Sequence, residues 1–140
     1  GVAGSRLLLV HNTFTHEEDL NFAHIQALNV GQQLYYVLCP GANLYIENRL
    51  PDVPLLIKSG VDIALGTDSL ASNDQLSITK EMQHILKAYP NIPKEVVLSW
   101  ATYNGAQALG FECQLGSFQK GRQPGVVLLS ENLDLISRIH

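Results

Sequence analysis

The chain has little of what marks several large functional classes. Lys and Arg together number nine in 140 residues and never cluster, so no nucleic-acid surface is expected. No apolar run reaches the length of a membrane span, so no membrane partner is expected. The run Arg6-Leu7-Leu8-Leu9-Val10 is too short for a leader and is followed by polar residues. There are only two cysteines, Cys39 and Cys113, far apart and without a Cys-x-x-Cys pattern. That usage fits reduced thiols and predicts a cytoplasmic protein. Repeats, low-complexity stretches and clear linkers are also missing. What is present is a charge-poor globular composition, 46% apolar, 16% charged and −4 in net charge, at the size of one ordinary domain.

Apolar runs alternate with helical patterns. Leu7–Val10 reads as a short strand ending at His11. Thr15-His16-Glu17-Glu18 is a capping-box pattern that opens a helix to about Leu28, with Thr15 as cap and Glu18 reaching back. Leu34–Cys39 is a β-rich second strand stopped by Pro40, and Asp52–Ser59 a short helix ended by Gly60. Val61–Leu65 is the third strand. Two helices follow, Ser77–Ala88 and Pro93–Leu109, the second open to interruption at Asn104-Gly105. Leu115–Phe118 and Val126–Leu129 read as two further strands flanking a turn-rich connection. Three apolar strands with helical crossovers imply an α/β fold with a parallel sheet covered on both faces. Three strands make a poor sheet alone and a closed barrel needs eight, so the chain reads as part of a larger α/β structure.

Each of the three strands runs into a polar cluster: His11-Asn12-Thr13, then Cys39-Pro40-Gly41-Ala42-Asn43, then Gly66-Thr67-Asp68-Ser69-Leu70-Ala71-Ser72-Asn73. In a parallel sheet these fall on one edge, where α/β folds place their sites. An aspartate there can ligate a metal and move protons. A residue of that kind before a helix also serves as a plain N-cap, and for Asp68 alone the two readings are evenly balanced.

Taken in order and spacing, these motifs resemble the C-terminal portion of an amidohydrolase-superfamily enzyme, in the group of S-adenosylhomocysteine and guanine deaminases and atrazine chlorohydrolase-type enzymes. The resemblance runs from Leu7 to Leu129 and includes Glu81-Met82, Ala101-Thr102-Tyr103-Asn104-Gly105-Ala106-Gln107-Ala108-Leu109-Gly110, Leu115–Gly121 and Pro124–Leu128. It implies a metal-dependent β/α (TIM-like) barrel. Leu7–His11, Tyr35–Cys39 and Ile63–Asp68 would be its strands six, seven and eight. Residues 1–110 would form this partial barrel, and residues 111–140 strands of a small β-domain and the tail. By the same resemblance Asp68 is a metal ligand and proton shuttle, and His11 a metal ligand or a group that orients water and substrate. Asn43 and Ser69 fall on the substrate side. The implied cofactor is Zn2+ or another divalent metal in the full-length protein, bound weakly or not at all by this segment alone.

Two departures stand out. The chain has no His-x-His, and no counterpart of the family's strand-five histidine. Related enzymes often carry a histidine just before Cys-Pro-x-x-Asn, where this chain has Leu38, which argues against the deaminase specificity typical of the group.

Other candidates have plainer readings. His16, His24 and His84 belong to helix surfaces, and His140 is terminal. Cys39 reads as a small buried residue, and Trp100 as packing. Glu17, Glu18 and Asp19 read as favourable charge at a helix N-terminus. The expected function is part of a hydrolase that cleaves a C–N or related bond of a small, heterocyclic molecule with metal-activated water, in a homo-oligomer. The alternative is an amidohydrolase-like protein without turnover, used for binding or assembly.

Overall fold

The computed structural model describes residues 5–139; His140 lies outside them. Three strands, β1 (Arg6–Val10), β2 (Gln33–Leu38) and β3 (Ile63–Leu65), form one parallel sheet in the order β1-β2-β3. Leu8 pairs with Tyr35, Val10 with Val37, and Val37 with Ala64. Helices α1 (Glu17–Val30), α2 (Pro40–Glu47) and α3 (Val53–Lys58) make the crossovers, and α4 (Ile78–Ala88), α5 (Lys94–Ala101) and α6 (Tyr103–Leu109) follow the sheet. Strands β4 (Val126–Leu129) and β5 (Leu135–Ile139) form a separate antiparallel pair.

The strands alternate between two environments because successive side chains leave a strand on opposite faces. Tyr36, Leu38, Ile63 and Leu65 point into one apolar cluster with Leu20 of α1, Val53 and Leu56 of α3, Met82 and Ile85 of α4, and Val97 and Trp100 of α5. Each such side chain taken fully from water contributes about 1.5–3 kcal/mol. Trp100 is a core residue, as its sequence context indicated. Leu38 is fully buried in the same cluster, so the leucine at the family's histidine position belongs to packing in this chain.

Several local expectations shift. The first helix is capped by His16, whose backbone N–H is accepted by Asp19 Oδ2 at 2.9 Å, so Asp19 takes the place expected of Glu18. A turn closed by Thr15 N–H to Asn12 O delays the helix by one residue. The helix then runs to Val30 and ends at Gly31, whose φ of 68° suits glycine. The helix α2 went unread. Pro40 at its first turn halts β2 and also starts this helix, because a missing N–H costs nothing there. The break between α5 and α6 lies at Thr102, with φ −129° and ψ −85°, and not at Asn104-Gly105. Asn104 instead ties α6 to the sheet, donating from Nδ2 to Ile63 O at 2.7 Å. Leu115–Phe118 is no strand but a run of turns and bends containing Gly116 at φ 82°. The partner of β4 is β5, reached through a turn at Leu133 with φ 65°.

Both outer strands of the parallel sheet lack a further partner among the described residues. A part of a barrel whose outer strands lack their neighbours is expected to uncover apolar residues such as Leu8, Val10, Ile63 and Leu65; Ile63 and Leu65 are the test at β3. They are buried nonetheless, because α4, α5 and α6 pack against β3. On β1, Val10 is exposed as expected, while Leu8 is half-buried.

Candidate active site

The ends of β1 and β3 bring His11 and Asp68 together. His11 follows β1 directly, and its N–H donates to Val37 O at 2.9 Å, extending the ladder by one rung. Asp68 stands three residues past β3, after Gly66, whose N–H donates to Leu38 O. His11 Nε2 lies 3.9 Å from Asp68 Oδ2, and both side chains are about one-third open to solvent, at 40% and 34%. Both residues, and Asn12 between them and the helix, have left-handed backbone: φ is 71° at His11, 57° at Asn12 and 56° at Asp68. For residues with a Cβ this region costs roughly 1–2 kcal/mol, less for Asn and Asp. Such strain is held only where the surroundings over-determine it, and it gathers at functional sites.

Those surroundings are specific. Ser72 Oγ donates to Asp68 Oδ2 at 2.5 Å and sits nearly buried at 8% exposure. Asn12 Nδ2 donates to Leu9 O at 2.7 Å, bracing the turn that carries His11. Asn43, in the first turn of α2, is buried, and its Nδ2 donates to Thr13 Oγ1 at 2.5 Å. Asn43 Oδ1 has no partner among the described residues. Ser69 is exposed beside Asp68, and its carbonyl accepts the N–H of Ser72 at 3.1 Å. Thr13 and Ser72 lie within the polar clusters that follow β1 and β3. The signal for Ser72 is its spacing, four residues beyond Asp68 in a loop that must turn back on itself.

Cys39 lies under this edge, almost fully buried. Burial, then the nearby carboxylates of Asp68 and Glu81, push its thiol up to about 11 from 9.0. At neutral pH it is a protonated packing residue and not a nucleophile. His16 and His24 are exposed, at the N-cap and on the body of α1, and His84 is half-buried on α4.

An imidazole nitrogen and a carboxylate oxygen are both ordinary zinc donors, and two tetrahedral ligands at zinc distances sit ~3.4 Å apart. The 3.9 Å between Nε2 and Oδ2 is close to that span, and both side chains are partly open to solvent. The pair therefore fits part of a zinc site. Among the described residues no group of three or more His, Cys, Asp and Glu side chains converges on one point. A catalytic zinc takes three protein ligands, so these two residues would supply a portion of the set.

The family model described as "Amidohydrolase family" matches residues 1–138. A 5-methylthioadenosine/S-adenosylhomocysteine deaminase from Teredinibacter turnerae is 34% identical over 134 residues, covering 90% of this chain and 29% of the relative. A crystal structure of an adenosine deaminase from Xanthomonas campestris with bound zinc aligns at a TM-score of 0.71 and 30% identity, over 86% of this chain and 28% of that one. The E. coli guanine deaminase aligns at a TM-score of 0.72 over 92% of this chain and 30% of its own, and at 19% identity that likeness is one of fold alone. The chain thus spans less than a third of the length of these proteins. The sheet with its helical crossovers is a piece of mixed α/β structure of the β/α-barrel type, and the chain belongs to the amidohydrolase family.

Proposed function

We propose that this chain is the C-terminal portion of a metal-dependent hydrolase that cleaves a C–N or related bond of a small heterocyclic molecule. The supporting observation is the approach of His11 to Asp68 at the ends of two strands whose own order puts them on either side of β2. In this reading β1, β2 and β3 are strands six, seven and eight of a barrel. Residues 1–110 belong to the barrel and 111–140 to a small β-domain beside it. The names of the relatives supply the substrate class, and the zinc in the adenosine deaminase structure supplies the metal.

Asp68 and His11 would hold the metal together with ligands from elsewhere in the full-length protein. When bound, such an ion lowers the pKa of a coordinated water toward neutrality. Asp68, half open to the site, accepts the proton of the attacking water on its free oxygen. It then returns that proton to the leaving nitrogen. Ser72, donating to Oδ2, keeps the carboxylate in one orientation for both transfers. His11 orients the attack from the facing strand. Ser69, exposed beside Asp68, and Asn43, with its unpaired buried oxygen, lie on the substrate side. Two free cysteines support a reducing, cytoplasmic setting, and the exposed apolar edge at β1 supports assembly with further chain, including a second copy. No helix among the described residues is long and apolar enough to cross a membrane.

The test is Asp68→Asn in the full-length protein. Asparagine tolerates left-handed backbone and is nearly isosteric, so the fold is kept. It cannot accept the proton, and general acid–base transfer is worth roughly 10²–10⁴-fold in rate. A loss of kcat in that range, with unchanged folding, is the expected result. Near-normal kcat would remove the proton-transfer role.

A further inference from the structure

We infer that Glu81 is a positioning residue for Asp68, acting through Asn73 and the peptide plane between Thr67 and Asp68. The inference rests on the reading of Asp68 given above.

Glu81 is a carboxylate at 1% exposure, buried on α4 beside two apolar neighbours, Met82 and Ile85. A buried carboxylate is expensive unless its oxygens are occupied. Here each oxygen has its own donor. Gly41 N–H donates to Oε2 at 2.6 Å, and Asn73 Nδ2 donates to Oε1 at 2.7 Å. Asn73 Nδ2 spends its second hydrogen on Thr67 O at 2.8 Å. That carbonyl belongs to the peptide plane whose rotation about the next N–Cα bond is φ of Asp68. The value there is 56°, a setting an aspartate does not hold without help. Asn73 thus pins the plane, and Glu81 fixes which way the Asn73 amide faces. If the amide turned over, an oxygen would meet both Thr67 O and Glu81.

The second arm reaches the other half of the site. Gly41 opens α2, the helix that carries Asn43, and Asn43 holds Thr13 two residues beyond His11. The fit is tight at this point. A Cβ on Gly41 would come within 2.7 Å of the Asn73 side-chain amide atoms. One buried carboxylate therefore joins the loop bearing Asp68 to the helix that braces the turn after His11. No atom of Glu81 is placed on the substrate side, so its effect is expected on the geometry of reaction and little on binding.

The experiment uses the full-length protein at matched metal content. Glu81→Gln keeps the shape but turns one of its two acceptors into a donor that faces another donor. The expected result is a fall in kcat of roughly 10–100-fold, the scale of a misplacement of about 1 Å, with KM within about threefold. In its crystal structure the Thr67–Asp68 plane is expected to be rotated and Asp68 displaced. Asn73→Ala should give a similar kcat, and the double variant should lose no more than the worse single, since both act on one link. Should Glu81→Gln fail to fold, Asn73→Ala alone carries the comparison, because Asn73 is only half-buried and its loss leaves the rest of the fold intact while releasing the Thr67 carbonyl. An unmoved Asp68 with normal kcat overturns the inference, as does an additive double variant. A displaced Asp68 with normal kcat would instead overturn the role given to Asp68 itself.

Discussion

Ser72 Oγ donates to Asp68 Oδ2 at 2.5 Å, the same oxygen that approaches His11 Nε2 at 3.9 Å. The loop between β3 and α4 curls back so that a residue four positions later locks the orientation of the aspartate. A free carboxylate at a strand end would rotate among several staggered settings, and a proton acceptor must hold one of them.

Ser72→Ala is expected to leave the full-length protein folded and to lower its kcat about tenfold. A hydrogen bond to a charged group is worth about 1.5–3 kcal/mol, and Asp68 at one-third exposure would recover part of that from water. Stability should therefore fall by about 1 kcal/mol, read from chemical denaturation. Unchanged kcat would mean that Ser72 only closes the loop.

The three strands, their order of appearance and the two residues at their ends were legible in the sequence. Leu7–Val10 is a continuous apolar run and Val61–Leu65 is apolar except for Asp62, as a covered parallel strand needs; His11 follows the first directly and Asp68 comes three residues after the second. Less legible was anything fixed by tertiary contact. Pro40 reads as a strand stop from one side and a helix start from the other, and α2 was lost to that ambiguity. Strand β5, Leu135–Ile139, ends on Ser-Arg-Ile and has no alternation to mark it; its pairing with β4 is what makes it a strand. Leu115–Phe118 has strand-like composition, yet Gly116 at positive φ lies against Ala106 and Tyr103, and packing on α6 decides its course. At the site, Ser72 and Glu81 lay inside quoted motifs, but their bonds depend on a loop conformation that spacing does not reveal.

Zinc affinity follows from the donor count. This 140-residue chain offers His11 and Asp68 and no third converging ligand among its described residues. Calorimetric titration of the chain by itself with zinc is expected to show only weak binding, abolished by His11→Ala. Tight one-to-one binding would show that these two residues need no help from the remainder of the protein.

Cys39 gives a stability signature at high pH. Its thiol is raised from 9.0 to about 11, so between those values the folded chain keeps a proton that the unfolded chain has released. Deprotonation then favours the unfolded state, and stability declines as pH rises through that window. The decline is absent below pH 9 for this group. Tyr35, Tyr36 and Tyr89 are also raised by burial and add to it above pH 10. Cys39→Ala should flatten the early part of the decline in thermal melts between pH 9 and 10. The same burial predicts that iodoacetamide labels the exposed Cys113 in the native chain and spares Cys39.

The last expectation concerns the open edge at β1. Its outer side has no partner strand among the described residues, and Leu7 and Val10 are 41% and 49% exposed along it. Phe14 and Phe22, close by in sequence, are more exposed still. An apolar strand with free N–H and C=O groups is a template for another chain, and large exposed patches mark interfaces or aggregation sites. The opposite edge at β3 is different, because Ile63 and Leu65 lie under α4, α5 and α6. Self-association of this chain alone should therefore proceed through β1. Light scattering across a dilution series is expected to show concentration-dependent growth. Val10→Lys, which places a charge on the edge without touching the buried cluster, should suppress it. The corresponding charge at an exposed position far from the edge, Ile57→Lys on α3, should not. A monomer at high concentration would show that the chain satisfies its own edges and needs no barrel around it.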